Sequence, residues 1–91
     1  MNIKQLARRI PDNVRQQRIL TAEDPIANAK AVAGNQQMLL LFSIWFEFIE
    51  PNGTPKPSCP ACLQAVLDNF QQMRSALVEL ENENELLNML P

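Results

Sequence analysis

At 91 residues with a net charge of −2, 46% apolar and 20% charged side chains, the chain is the size of one domain, and the composition excludes whole-chain disorder. Two glycines and few β-branched residues beside abundant Ala, Leu, Gln, Asn and Glu make the composition helical. With neither His nor Tyr, and no glycine-rich phosphate loop, the usual catalytic constellations are missing and an enzyme is not expected.

The charge is polarised. Residues 1–20 carry Lys4, Arg8, Arg9, Arg15 and Arg18 against Asp12, whereas residues 62–91 carry Asp68, Glu79, Glu81, Glu83 and Glu85 against Arg74, so one end is +4 and the other −4. In the basic head, residues 1–23, Ile3, Leu6 and Ile10 recur at helical spacing and Pro11 closes the turn. Asp12 is then placed to cap a second short helix bearing Val14, Ile19 and Leu20, whose apolar positions do not fit a 3.6-residue period. The head has scattered charges and no apolar core of a secretory signal, which predicts a cytoplasmic protein.

Asp24-Pro25 is a clear start signal, with Asp24 at the N-cap and Pro25 at the first helical position, where its missing N–H costs nothing. A helix is predicted from there to Glu50, small-faced at first and with Gly34-Asn35 as a weak point. Ten of the twelve residues from Met38 to Ile49 are apolar, and only Gln36, Ser43, Glu47 and Glu50 draw a narrow wet stripe along that rod. As a helix the run is about 18 Å long against a hydrocarbon core of about 30 Å, so it does not span a membrane. A single small chain is expected to fall short of covering it. The sequence therefore predicts that a second copy completes the core.

Residues 51–58 hold three prolines and an Asn-Gly pair and must form a connection. Beyond them a helix is predicted over about 60–89, in which Leu63, Val66, Phe70, Met73, Leu77, Leu80, Asn84 and Leu87 repeat at alternating spacings of three and four. The seam packs on the helix of residues 25–50 in its near half, and its acidic tail, residues 79–91, projects or pairs across a dimer. Glu81 and Glu83 flank the seam, so a parallel pair sets like charges together; antiparallel pairing or docking on the basic head is electrostatically preferable.

Cys59-Pro60-Ala61-Cys62 is the reactive motif. At the mouth of a helix, orphan N–H groups favour thiolates, metal binding and disulfide exchange. A CPxC spelling also occurs in thioredoxin-like sites, but those follow a strand, and none is predicted here. Structural zinc needs four N or S ligands, so Cys59 and Cys62 supply half a site, completed only if two chains share the ion. The three open readings are a plain structural pair, a dimer-bridging zinc and a redox dithiol. No cofactor is otherwise expected.

The expected architecture is all-α: an elongated helical hairpin or bundle of two long helices, 25–50 and 60–89, with one or two short N-terminal helices and a core completed by dimerisation. The whole chain is read as a single domain. The expected function is a non-enzymatic interaction or assembly module acting as a homodimer, with another protein as further partner. Its interface is expected at Leu40, Leu41, Ile44, Trp45, Phe48, Phe70, Met73, Leu77, Leu80, Asn84 and Leu87. One alternative is a nucleic-acid-binding regulator contacting its target through Lys4, Arg8, Arg9, Arg15 and Arg18; another is a switch at Cys59 and Cys62, metal-bridged or thiol-based. No motif here is specific enough to name a family.

Overall fold

The computed structural model describes residues 2–89; Met1, Leu90 and Pro91, and with them the last two positions of the predicted tail, lie outside the described residues. The described chain is helical, with no strand. Helix α1 (Ile3–Arg8) is followed by α2 (Asp12–Val14), which widens into a π-helical turn over Arg15–Ile19. Then come α3 (Pro25–Asn28), α4 (Gln36–Ile44) with a π-helical end over Trp45–Ile49, and α5 (Pro60–Met89). The principal extents are 48 × 28 × 18 Å, the longest matching the roughly 45 Å that thirty helical residues span. Helix α5 is thus the spine, with α1, α3 and α4 laid against it.

Local sequence explains most of these boundaries. Asn2 caps α1 through a reciprocal capping box: its side chain accepts the Gln5 N–H at 2.8 Å while its own N–H donates to Gln5 Oε1 at 3.1 Å. Asp24 caps α3, accepting the Ala27 N–H at 3.3 Å with Pro25 next in line. Asp12 does not take the predicted cap position. Pro11 occupies it with no side-chain bond, and Asp12 is the first helical residue, where its carboxylate meets Arg15.

The predicted helix of residues 25–50 is not continuous, and the two-long-helix hairpin is corrected accordingly. Helix α3 ends at Asn28, Ala29 turns extended with ψ at 145°, and α4 starts only at Gln36. Gly34 sits at φ +88°, a conformation that side chains with a Cβ avoid. Asn35 then caps α4, accepting the Met38 N–H at 2.9 Å, and also accepts the Lys30 N–H at 3.3 Å, tying the loop to the new helix. The helix thus stops at Asn28, and Gly34-Asn35 sets its restart.

The two π-helical turns account for apolar spacings that a 3.6-residue period leaves unmatched. Leu20 donates to the Arg15 carbonyl at 2.8 Å and Glu50 to the Trp45 carbonyl at 2.9 Å, both five residues back. The wider turn brings Val14 and Ile19 to one side, both buried, and does the same for Ile44 and Ile49. Ser43, Glu47, Gln36 and Glu50 are exposed, as the wet stripe of the sequence requires.

The core runs along α5. Leu63, Val66, Leu67, Phe70, Met73, Ala76, Leu77 and Leu80 are buried on it, facing Met38, Leu41, Phe42, Ile44, Trp45 and Ile49 from α4, Ala7, Ile10, Val14 and Ile19 from the head, and Ile26 from α3. Trp45 meets Phe70 edge-on, with centroids 6.2 Å apart and planes at 66°. Gly53 closes the connection beneath Phe46, where a Cβ would fall 2.8 Å from that ring. The apolar rod at residues 38–49 is therefore largely covered by its own chain. Leu41 and Trp45 are buried within one copy and need no partner to shield them.

Candidate functional site

Three features of α5 and its partners hold charge, reactive sulfur or exposed apolar surface. The first is a clasp between the two oppositely charged ends. Arg15 is 2% exposed and reaches two carboxylates. Its Nη1 donates to Asp12 Oδ1 at 2.9 Å, and its Nε and Nη2 donate to Glu81 Oε2 at 3.1 and 2.9 Å. Gln16 adds a third bond to that same Glu81 oxygen at 3.1 Å. A buried guanidinium is tolerable only when its donors are matched in this way.

Lys4 forms the outer part of the clasp. Its Nζ lies 3.1 Å from both Glu79 and Glu83, which are four residues apart and so share one helix face. Hydrogen bonds to Glu79 and then Glu83 raise the Lys4 pKa above its ordinary 10.5. A raised folded-state value means that the contribution is fully present below about 10.5 and is lost as pH climbs through the higher folded value. Urea melts of wild type and Lys4→Met are therefore expected to differ by a constant margin from pH 7 to 9, with the margin closing in strong alkali. The margin should also shrink with salt, because the pair faces solvent.

Other cations read from the sequence as a nucleic-acid footprint also have intramolecular tasks. Arg9 donates from Nη1 to the Ile49 carbonyl at 2.8 Å, satisfying the end of the π-helical turn. Arg8 and Arg18 are exposed. Arg18 borders a shallow depression together with Thr21, Glu23, Gln36, Gln37 and Leu40. Arg74 pairs with Asp24.

The second feature is the motif at the start of α5. Cys59 and Cys62 are joined in a disulfide, with Cα atoms 5.2 Å apart. Cys59 immediately precedes Pro60, its carbonyl accepts the Leu63 N–H at 3.0 Å, and its Sγ accepts the Cys62 N–H at 3.2 Å. Cys59 thus caps the start of α5. With both sulfurs in the bond, this form of the chain offers no thiolate to a metal. A zinc shared between copies would require both pairs to be reduced.

The third feature is the far end of α5. Of the eleven residues expected to form an interface, Leu41, Ile44, Trp45, Phe70, Met73, Leu77 and Leu80 lie inside the single-chain core, while Leu40 and Phe48 pack half-buried against it. Asn84 is half-buried, and Leu87 alone among the eleven is exposed. Around Leu87 the helix runs past its cover: Leu86, Leu87 and Met89 are 64%, 67% and 79% exposed. Leu86 and Met89 lie off the heptad seam, so the seam alone does not reveal them; their density near the chain's acidic end is the available signal.

Comparison with protein-family models, with curated proteins and with solved structures finds no match to this chain. No helix among the described residues is long and apolar enough to cross a membrane.

Proposed function

We propose that the chain is a non-enzymatic helical assembly module whose docking element is the uncovered end of α5, and that it associates with a second copy of itself within a larger complex. The observation that carries this reading is the contrast between a sealed core and three large apolar side chains, Leu86, Leu87 and Met89, left mostly in water on one short stretch of helix. Single exposed apolar residues are ordinary; a contiguous group at the end of a heptad seam is the pattern of a binding element.

Electrostatics supports association at this end. Lys4 offsets Glu79 and Glu83, and Arg15 offsets Glu81. Among the described residues, Glu85 is the carboxylate of this tail without an ion pair. The clasp thereby removes much of the like-charge repulsion that would otherwise keep two such tails apart.

Light scattering across a concentration series tests the reading. Wild type is expected to pass from monomer to dimer mass as concentration rises. The triple variant Leu86→Ser/Leu87→Ser/Met89→Ser should weaken association by at least tenfold, about 1.4 kcal/mol, with an unchanged urea midpoint at concentrations where wild type is monomeric. A wild-type chain that stays monomeric at every concentration would overturn the proposal.

A further inference from the structure

We propose that Cys59 and Cys62 form a redox-active dithiol/disulfide pair that exchanges with protein disulfides, Cys59 being the attacking thiol. The inference stands apart from the association proposed above, since it concerns the opposite end of α5.

Two independent observations carry it. The first is that this disulfide has little structural work. It links residues three apart, and the stabilisation expected from a cross-link falls with the length of chain it closes. The same turn is already held by the Leu63 N–H bond to the Cys59 carbonyl at 3.0 Å. The core of α5 begins with Leu63, and neither cysteine belongs to it. A bond that staples nothing distant is of the type that can open and close without unfolding the protein.

The second is the setting of the two sulfurs. Both cysteines are half-buried, the intervening Pro60 and Ala61 are exposed, and so is every residue of the preceding connection, 51–58. An incoming sulfur can therefore approach from solvent. The Cys62 N–H donates to Cys59 Sγ at 3.2 Å, and Cys59 stands at the positive end of a thirty-residue helix. Both favour negative charge on Cys59 sulfur over charge on Cys62, which lies inside the first turn.

The exchange balances without any further oxidant. In the reduced chain the Cys59 thiolate attacks one sulfur of a substrate disulfide. A bond forms between Cys59 and that sulfur while the substrate S–S bond breaks, and the departing thiolate takes up a proton. The Cys62 thiolate then attacks Cys59 Sγ, the mixed bond breaks, and the second substrate thiolate leaves and is protonated. Two electrons pass from the chain to the substrate, and the two protons released by Cys59 and Cys62 match the two gained. An external dithiol returns the pair to its reduced form.

The full chain is tested with insulin as the disulfide and dithiothreitol as the dithiol. The chain is expected to accelerate insulin reduction above dithiothreitol alone, and Cys59→Ser to return the rate to that baseline. Intact mass should show Cys62→Ser holding glutathione through Cys59 after exposure to glutathione disulfide. At pH 6, Cys59 in the Cys62→Ser variant should alkylate severalfold faster than Cys62 in Cys59→Ser, because the helix terminus favours the Cys59 thiolate. Circular dichroism of Cys59→Ser/Cys62→Ser should match wild type. An insulin rate no higher than dithiothreitol alone, equal alkylation rates, no glutathione adduct, or a double variant that unfolds would each overturn the proposal.

Discussion

Replacing Phe70 by Ala is expected to cost about 3–5 kcal/mol, the range for removing a large aromatic ring from a packed interior. Phe70 is fully buried at the middle of the α5 seam, where its ring meets the face of α4 through Trp45. Small domains have only about 5–15 kcal/mol in total, so this one change should remove a large part of the native stability. Urea melts followed by circular dichroism and by fluorescence of Trp45, the single tryptophan, should report one shared transition at a much lower midpoint. Leu39→Ala, on the solvent side of α4, should stay within about 0.5 kcal/mol of wild type. Because the ring is enclosed by its own chain, the loss relative to wild type should be the same at low and high protein concentration; a loss that changes steeply with concentration would mean that a second copy helps to enclose Phe70.

How far such a core can be read from residues alone differs from one element to the next. Helix α5 is legible at both ends, Pro60 to Met89, because Pro60 marks its start and a regular apolar seam runs through it. Helix α4 is half legible. Its greasy run is visible, but the break before it depends on Gly34 adopting a positive φ and on Asn35 turning its side chain back to Met38, and both depend on the path of the chain rather than on apolar spacing. The π-helical turns were not readable, since a five-residue recurrence such as Val14 to Ile19 matches neither helix nor strand templates.

The cover over residues 38–49 is only partly legible, for a related reason. Counting the oily faces of residues 38–49 against one neighbouring helix leaves a surplus. The head takes up part of that surplus with Ala7, Ile10, Val14 and Ile19, and α3 adds Ile26, from segments whose depth in the core their short or irregular patterns do not reveal. Of the candidate site residues, the cysteines were legible by spelling but not their pairing. In the sequence Arg15 is one member of a basic run, because nothing in a one-dimensional pattern distinguishes a solvated arginine from one folded beneath Glu81.

That distinction yields the second large effect. Arg15→Ala should destabilise the chain by about 3 kcal/mol, the low end of the cost of removing one partner from a buried pair, since Glu81 keeps 19% side-chain exposure and some access to water. Arg15→Lys should restore only part of the loss: a single ammonium cannot reach both Asp12 and Glu81 with the geometry of the fork. The decisive variant is Arg15→Met/Glu81→Leu. If the cost of Arg15→Ala is mainly that of stranding a carboxylate in a partly dry place, removing both charges together should bring the midpoint back toward wild type, with a coupling of about 2 kcal/mol between the two sites. Urea melts in low salt and in 1 M NaCl separate this inner pair from the outer one, because screening weakens the exposed Lys4 contacts far more than a contact at 2% exposure. Additive losses in the double variant, or an Arg15→Ala penalty that vanishes in salt, would show that Arg15 behaves as an ordinary surface cation and that the head is held to α5 by apolar packing alone.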